Sequence, residues 1–362
     1  MPHPILQKKR FLIINPYGIG DVLFTTPLIR NIKNNIPEAL IGYVANRRTA
    51  EILQNHPAVN RVFIYDRDEF ARLSHESKRL LIGRAREFLS EIRKERFEVV
   101  FDLSLNSSMN FLSWLAGIPI RAGYDYKGRS RFLTHRVPLS GYEGRPVAEY
   151  YLDLLRTTGM NVRASGLELF LKPEDEQWAE NFFRSSGINR KKNVIGIVPG
   201  GGASWGREAA YKRWPAEKFA SLTERVVRET GSQIIFFGEQ REEELCRDVA
   251  RASGQPAVMA CGRTTVSQCA AMFKRCSLVV ANDGGPVHIA VASGVKTVSI
   301  FGPVDDRVYG PYPRERHAVA VKDIACRPCY RQFRRAECSH VSCLSRLDVE
   351  GVFAKVREAL TS

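Results

Sequence analysis

The sequence predicts an α/β protein made of two doubly wound, Rossmann-like domains, each with a parallel sheet. Three observations support this fold class. Short β-branched apolar runs alternate with helical segments of about 10–15 residues, which is typical of parallel sheets with helices on both faces. The alternation occurs twice along the chain. Each series opens with a glycine-rich turn directly after its first strand, and the length of 362 residues suits two domains.

The individual elements follow from these runs. The predicted strands are residues 11–14, 40–44, 61–65 and 99–101 in the first half, and 194–198, 233–237, 278–281 and 297–301 in the second. The predicted helices begin near residues 21, 48 and 77 in the first half, include a basic helix over 71–96, and span 215–230, 240–252, 265–275 and 348–360 in the second. We place the domains at 1–185 and 186–362, and the last helix suits either of them.

The charge balance indicates an anionic partner. The chain has 54 Lys and Arg against 39 Asp and Glu, a formal net charge of +15. Nucleic acid, a phosphorylated substrate and an anionic membrane surface all fit this excess, as does a basic surface that only maintains solubility. The composition excludes collagen-like and low-complexity chains. No apolar stretch is long enough to span a bilayer or to form a signal-peptide core, so we expect a cytoplasmic protein.

The first motif is a glycine-rich turn between the first strand and a helix. It reads Asn15-Pro16-Tyr17-Gly18-Ile19-Gly20-Asp21. Gly18 and Gly20 permit a tight turn, and the start of a helix favours anions. Asp21 is either an ordinary first-turn carboxylate or a chemical group of a site. The turn lacks the third glycine of a dinucleotide fingerprint and the Lys-Ser/Thr of a P-loop.

The second motif follows the strand at 194–198 and contains three consecutive glycines. Gly200, Gly201 and Gly202 lead into Ser204, and Lys212 comes shortly before a helix. Three glycines lose much backbone entropy on ordering, so a loop that wraps a phosphate with its N–H groups explains them better than a plain turn. Lys212 is then a phosphate partner, or simply an exposed lysine before a helix.

The third motif lies at the end of the strand at 278–281. It contains Asp283, Gly284 and Gly285 before a helix, with His288 in the first turn of that helix. The glycine pair predicts a place for the anionic groups of a ligand. His288 is either a ligand contact or a histidine that is satisfied within the fold.

Taken together, these motifs resemble the heptosyltransferase family, the family 9 glycosyltransferases. The resemblance rests on residues 20–27, on Pro199-Gly200 with the stretch 212–215, on residues 282–288, and on Phe301-Gly302-Pro303. It implies the GT-B architecture, with two Rossmann-like domains facing across a cleft. It also implies inverting transfer of heptose from ADP-heptose to the inner core of lipopolysaccharide without an obligatory metal.

The resemblance also implies roles for single residues. Asp21 matches the general base that deprotonates the acceptor hydroxyl, and Lys212 matches the lysine that neutralises the diphosphate leaving group. Glu239 is the nearest match to an acidic ribose contact, although residues 242–244 compete for that role. The remaining residues that we assign to substrate binding are Gly18, Gly20, Gly200, Gly201, Gly202, Ser204, Asp283, Gly284, Gly285 and His288. The stretch 15–17 and a longer segment at 203–211 depart from the usual family pattern, which leaves the donor sugar and acceptor open.

Two basic stretches fit the acceptor implied by the resemblance. Residues 71–96 hold eight Lys and Arg against four Glu, and residues 121–136 hold five against one Asp. We assign Arg121, Lys127 and Arg129 to a phosphorylated acceptor of the Kdo-lipid A type at the cytoplasmic face of the inner membrane. The alternative is a solvated basic face. We expect a monomer with no nucleic-acid partner, because no nucleic-acid-binding module is recognisable.

The eight cysteines fall into two groups. Cys246, Cys261, Cys269 and Cys276 are scattered among helices and are predicted to be core thiols. Cys326, Cys329, Cys338 and Cys343 are clustered before the last helix, where a structural zinc ion, an iron–sulfur cluster, free thiols and a disulfide are all open. No cofactor is required for the implied transfer.

Two further classes of function compete with this interpretation. A sugar-nucleotide epimerase of the same fold would need no acceptor, and a family 9 transferase with a different donor sugar would share the motifs. A basic binding protein would bind nucleic acid or membrane with a steep salt dependence and no role for Asp21.

Overall fold

A computed structural model describes residues 4–202 and 205–361, which form two compact units. The first unit runs to Tyr142 and includes Val147–Gly166. The second comprises Glu143–Pro146 and the described chain from Leu167 onward. Each unit has its own parallel six-stranded sheet with helices on its faces, so the predicted fold of two Rossmann-like domains is confirmed.

The first unit is a sheet in the order β3-β2-β1-β4-β5-β6. Its strands are β1 (Arg10–Ile14), β2 (Leu40–Ala45), β3 (Arg61–Ile64), β4 (Val99–Asp102), β5 (Ile120–Tyr126) and β6 (His135–Leu139). Its helices are α1 (Ile19–Phe24), α2 (Thr26–Asn35), α3 (Ala50–Gln54), α4 (Arg67–Glu76), α5 (Lys78–Lys94), α6 (Ser107–Leu115) and α7 (Val147–Arg156), preceded by a 3₁₀ turn at Pro4–Gln7. The central strands β1 and β4 are apolar almost throughout and buried on both faces, as expected for a parallel sheet between helices.

The second unit repeats this order around its own central pair, as β12-β11-β10-β7-β8-β9. Its strands are β7 (Val194–Val198), β8 (Gln233–Phe236), β9 (Ala257–Met259), β10 (Leu278–Asn282), β11 (Thr297–Ile300) and β12 (His317–Ala320). Its helices are α8 (Pro173–Ser185), α9 (Ala216–Thr230), α10 (Glu243–Ser253), α11 (Val266–Phe273), α12 (Gly285–Ala292), α13 (Asp306–Tyr309), α14 (Ser342–Ser345) and α15 (Val349–Thr361). Two 3₁₀ helices (Gly206–Lys212 and Gln240–Glu242) and a two-stranded hairpin of β13 (Tyr330–Arg331) and β14 (Arg334–Arg335) complete it.

The contacts divide the chain between residues 166 and 167, earlier than the predicted division at 185/186. Helix α8 lies in the second unit because it packs along α11. Glu176 of α8 forms an ion pair with Lys274 (2.7 Å), and the Glu176 carbonyl accepts a hydrogen bond from Arg275 (2.9 Å). The last helix, α15, also belongs to the second unit, where Phe353 is buried in the core.

The basic helix predicted over residues 71–96 is wrong in one respect. It is interrupted at Ser77, whose backbone is extended (φ −163°, ψ 123°), so α4 and α5 are separate helices. Serine favours helix ends because its hydroxyl competes for backbone hydrogen bonds. In α5, Phe88 and Ile92 are buried, whereas Leu80, three residues after the break, is 56% exposed.

Among the described residues, no helix combines the length and apolar character needed to cross a bilayer.

Candidate functional site

The three sequence motifs lie beside the central strands of their sheets. The first follows β1, the second follows β7, and the third follows β10. In each unit the strand order reverses between the two central strands, β1 and β4 or β7 and β10. This switch point, at the carboxyl ends of the strands, is where open α/β sheets bind ligands. Each unit therefore has its motif residues where its topology predicts a ligand.

Asp21 lies in the first turn of α1, in the glycine turn after β1. Its Oδ2 accepts a hydrogen bond from the backbone N–H of Gly18, which is the residue that precedes the helix (3.0 Å). The Asn15 side chain donates to the Asp21 carbonyl (3.1 Å) and also lies 3.4 Å from the Tyr151 hydroxyl. The carboxylate is half-buried. Asp21 thus has the helix-capping contact of an ordinary first-turn carboxylate while it stays at the carboxyl edge of the sheet.

Burial, with a smaller contribution from Asp21, raises the pKa of four tyrosines. Burial raises the pKa of Tyr17 to about 12, with smaller contributions from Asp102 and Asp21. Burial also raises the pKa of Tyr43, Tyr142 and Tyr151 above the usual range, and Asp21 adds to each shift. These phenols therefore remain neutral at physiological pH.

Asp102 is a residue of this edge that sequence reasoning missed. It ends β4 in register with Ile14 of β1 and is only 2% exposed. Its Oδ1 accepts hydrogen bonds from the backbone N–H and the hydroxyl of Ser104 (2.9 and 2.6 Å), while no partner for its Oδ2 lies among the described residues. Burial raises the pKa of the carboxyl to about 6, against the opposing effect of the Ser104 bonds. The only signal in the sequence was an acidic residue at the end of an apolar strand.

We expect Asp102→Asn to stabilise the protein above neutral pH. The folded protein holds the Asp102 proton more tightly than the unfolded chain, whose pKa is near 3.8. This contribution to stability is fully present below about pH 4 and is lost as the pH rises through about 6. Because asparagine has no proton to lose, the free energy of unfolding should rise by up to about 3 kcal/mol at pH 8 and by nothing near pH 4. Urea unfolding at both pH values checks this.

The exposed Asp68, changed to asparagine in the same way, is the matched control for Asp102 and should leave the urea midpoint unchanged at either pH. An equal gain at pH 4 and pH 8 for Asp102→Asn would show that burial of the charge is not its cause.

The glycine loop after β7 is held by a buried side chain from β10. The amide of Asn282 donates to the carbonyls of Pro199 and Gly200 (2.8 and 3.0 Å), and its oxygen accepts from the N–H of Trp214 (3.0 Å). Gly201 and Gly202 have positive φ angles of 136° and 74°, which side chains rarely adopt. Gly201 and Gly202 are therefore required by the backbone path, and Asn282 couples the second motif to the third.

The two glycine turns of the second unit are in direct contact. A methyl group on Gly284 would collide with the carbonyl of Gly201, and one on Gly200 would collide with the Glu242 carboxylate. Neither position accepts a larger residue without movement of the backbone or of a buried side chain.

Glu242, one of the competing acids, contacts the loop, whereas Glu239 does not. Glu242 is 2% exposed and accepts hydrogen bonds from the backbone N–H groups of Gly202 (3.2 Å) and Glu239 (3.0 Å). Arg213 forms an ion pair with the same carboxylate (3.3 Å). The Glu239 side chain is instead half-exposed and pairs with Arg241 (2.9 Å). Sequence spacing alone did not separate these two glutamates.

Lys212 is not an exposed lysine. Its Nζ lies 2.8 Å from Oδ2 of Asp283, and both side chains are almost fully buried. The ammonium also lies over the ring of Trp205, 4.6 Å from its centroid. His288 is buried, and burial together with the nearby Lys212 charge lowers its pKa to about 3, so its imidazole is neutral. The structure thus brings Lys212, Asp283 and His288 together, while Ser204 lies outside the described residues.

The three predicted acceptor residues lie at opposite ends of β5. Arg121 lies near the amino end of β5, at the edge of the sheet opposite Asp21. Its guanidinium donates to the carbonyl of Phe132 (2.6 Å). Arg121 therefore braces the segment between β5 and β6. Lys127 and Arg129 follow the carboxyl end of β5, are exposed, and lie over the ring of Tyr126.

The cysteine predictions have two outcomes. All eight cysteines are free; Cys246, Cys261 and Cys276 are buried, and Cys269 is half-buried. In the late group, burial and the neighbouring cysteines raise the pKa of the Cys343 thiol to about 11. Within residues 4–202 and 205–361, no three His, Cys, Asp or Glu side chains are arranged to hold a metal ion. The zinc and iron–sulfur alternatives that the sequence left open for the late cysteines stay predictions.

Comparisons with known proteins bear on the function of these sites. The sequence model of glycosyltransferase family 9 (heptosyltransferase) matches residues 85–340. Lipopolysaccharide heptosyltransferase 2 of Escherichia coli K12 is 26% identical over 307 residues, which are 81% of this chain and 83% of that protein. Lipooligosaccharide heptosyltransferase 2 of Haemophilus influenzae is 24% identical over 311 residues, 83% of this chain and 85% of that protein.

Solved structures share the fold. A family 9 glycosyl transferase from Veillonella parvula has a TM-score of 0.81 at 24% identity and covers 98% of both chains. E. coli ADP-heptose heptosyltransferase II has a TM-score of 0.75 at 21% identity, with 97% of this chain and 98% of that chain covered. The E. coli heptosyltransferase WaaC, solved with ADP, has a TM-score of 0.68 at 18% identity, with 97% and 99% covered.

Proposed function

The chain belongs to glycosyltransferase family 9, and from this premise we propose that it transfers heptose from ADP-heptose to the inner core of lipopolysaccharide. As a member of that family it is a glycosyltransferase. The lipopolysaccharide and lipooligosaccharide heptosyltransferases of E. coli and H. influenzae, each aligned over more than four-fifths of this chain, support the heptosyl donor and the core acceptor.

The observation that carries the proposal is the buried pair of Lys212 and Asp283 beside the glycine turns. It lies at the carboxyl edge of the second sheet, where a loop of three glycines and the start of α12 offer backbone N–H groups. A diphosphate gains negative charge as it leaves. A desolvated ammonium stabilises this negative charge strongly. We therefore assign the ADP-sugar donor to the second unit. The E. coli heptosyltransferase WaaC, which was solved with ADP, supports ADP as the nucleotide of the donor.

We assign the acceptor and the general base to the first unit. In the proposed step, the acceptor hydroxyl oxygen attacks the anomeric carbon from the face opposite the diphosphate. A new glycosidic C–O bond forms, the bond to the diphosphate breaks, and its electron pair leaves with ADP. Asp21 takes the hydroxyl proton. A single in-line displacement inverts the anomeric centre, so one carboxylate is sufficient.

The proposed transfer needs no metal ion. Lys212 and the backbone N–H groups of the glycine turns supply the positive charge that a divalent cation supplies elsewhere. Lys127 and Arg129, both exposed after β5, suit the phosphates of a Kdo-lipid A type acceptor, which would be met at the cytoplasmic face of the inner membrane.

The test is release of ADP from ADP-heptose with and without a Kdo-lipid A acceptor, in the presence of EDTA. We expect release that depends on the acceptor and is unaffected by the chelator. Conversion of the donor without any acceptor would favour the epimerase alternative. Release from another nucleotide sugar but not from ADP-heptose would keep the family chemistry and replace the donor.

A further inference from the structure

An aromatic patch on the first unit has no role in the transfer step. It consists of Phe111 and Trp114, three residues apart on α6, and Phe132, from the segment between β5 and β6. The three ring centroids lie 5.0 to 5.7 Å from one another. Phe111 is 40% exposed and Trp114 is 48% exposed. Three clustered aromatic rings at the surface of one unit are typical of an interaction site.

Helix α6 exposes aromatic side chains and buries two polar ones. Asn110 and Ser113 are buried beside the apolar Met109, although helices normally bury apolar residues and expose polar ones. Asn110 donates to the carbonyl of Arg129 (2.8 Å), and the Ser113 hydroxyl donates to the carbonyl of Met109 (3.0 Å). The buried polar groups are therefore satisfied, and the exposed aromatic side is not needed to complete the core.

The rim of the patch is cationic. The guanidinium of Arg131 lies 5.8 Å from the centre of the Phe132 ring, and Arg93 donates to the carbonyl of Leu115 at the end of α6 (2.6 Å). Arg136 donates to the carbonyl of Arg131 (3.1 Å). These three arginines are exposed, and among the described residues none of them is paired with a carboxylate. Their positive charge is thus available to a partner.

We infer that the aromatic patch and its cationic rim dock the protein on the surface of an anionic lipid bilayer. Tryptophan and phenylalanine favour the boundary between headgroups and acyl chains, and arginines beside them attract anionic headgroups. The positive charge of the rim favours an anionic lipid surface over a second copy of this chain, whose own rim would bring the same charge to the contact. The inference rests on the proposed function, in which the acceptor is carried by a lipid.

The patch lies toward the amino ends of the strands. Helix α6 begins a few residues after the carboxyl end of β4 and runs back toward the start of β5, and Trp114 lies about 10 Å along it from Ser107. The Phe132 carbonyl accepts a hydrogen bond from Arg121, near the amino end of β5. A bilayer in contact with the patch therefore leaves the edge that carries Asp21 uncovered.

Vesicle binding tests this inference directly. The full-length protein is sedimented with vesicles of phosphatidylcholine and phosphatidylglycerol, and with vesicles of phosphatidylcholine alone. We expect binding to the anionic vesicles, weakened by salt, and a loss of at least about tenfold in the double variant Phe111→Ser/Trp114→Ser. Arg131→Glu/Arg136→Glu should give a similar loss and keeps the test open if the serine variant does not fold.

The matched control is Leu40→Ser. Leu40 is 38% exposed on β2, across the central strands β1 and β4 from the β5–β6 segment that carries Phe132, and should be irrelevant to binding. Brominated acyl chains should quench the fluorescence of the wild type but not that of Trp114→Phe, which still binds. The inference would be overturned by equal binding to both kinds of vesicle or by unchanged binding of both double variants. It would also be overturned if the double variants lost self-association instead of vesicle binding.

Activity assays separate this inference from the proposed function. With an acceptor stripped of its acyl chains, the serine double variant should release ADP at the wild-type rate. With the acceptor embedded in anionic vesicles, its rate should fall with its binding. Absence of wild-type transfer to either acceptor would contradict the proposed function and leave the vesicle result to stand by itself.

Discussion

Asp21→Asn should lower acceptor-dependent ADP release by about 1000-fold or more while the affinity for ADP stays within a few fold. A general base contributes roughly 100- to 10,000-fold, and asparagine has no basic oxygen. The substitution retains an oxygen that can accept the hydrogen bond from the Gly18 N–H, so α1 should form as before. Initial rates of ADP release and calorimetric titration with ADP provide the two measurements.

Asp68→Asn is the matched control for this prediction. Asp68 is an exposed aspartate in the first turn of α4, in the same unit, and its substitution changes the net charge by the same amount. Its turnover should equal that of the wild type. If Asp21→Asn keeps near wild-type turnover, Asp21 only caps its helix and another group accepts the proton.

Lys212→Met should have a double effect, on turnover and on stability. Loss of the ammonium removes charge stabilisation of the departing diphosphate, which we expect to lower turnover by about 100- to 1000-fold. It also leaves Asp283 buried without its partner, which should lower the free energy of unfolding by about 3–5 kcal/mol. ADP release and urea unfolding measure the two effects independently.

The double variant Lys212→Met/Asp283→Asn separates the two roles of Lys212. Removal of both charges should restore most of the lost stability, because no buried charge is left alone, and should not restore turnover. Lys191→Met, at an exposed lysine of the same unit, should change neither quantity. Recovery of turnover in the double variant would assign Lys212 to folding alone.

The sequence was most informative where local pattern and tertiary position coincide. All eight predicted strands are present, because each contains a short apolar run, and all but the edge strand β3 are largely buried in their parallel sheets. Within the two six-stranded sheets, the four strands that the sequence did not reveal are β5, β6, β9 and β12, which have polar or small residues among their apolar ones. Most of them lie toward the edges of their sheets, where burial is incomplete and the apolar signal is weaker.

The chemistry of the site could be predicted only in part from the sequence. The glycines of the three turns carry their own signal, since few other residues fit those backbone paths. In contrast, the pairing of Lys212 with Asp283 joins residues far apart in the chain, and nothing local indicates it. The same holds for Asp102, whose raised pKa results from burial, and for Arg121, whose contacts hold a carbonyl of a later segment. Burial and long-range partners are properties of the folded chain.

The contact between Gly201 and Gly284 has a consequence for how this protein can change over time. Gly284 is closed to side chains by the carbonyl of Gly201, and Gly201 has a φ of 136°, which side chains rarely adopt, so neither position accepts a substitution without strain. In a scan of single substitutions, we expect no replacement to be tolerated at Gly201 or Gly284. Trp205, which is only half-buried, should tolerate substitution. A change in donor preference would then come from substitutions at residues around the two turns. The glycines of the turns themselves would stay unchanged together.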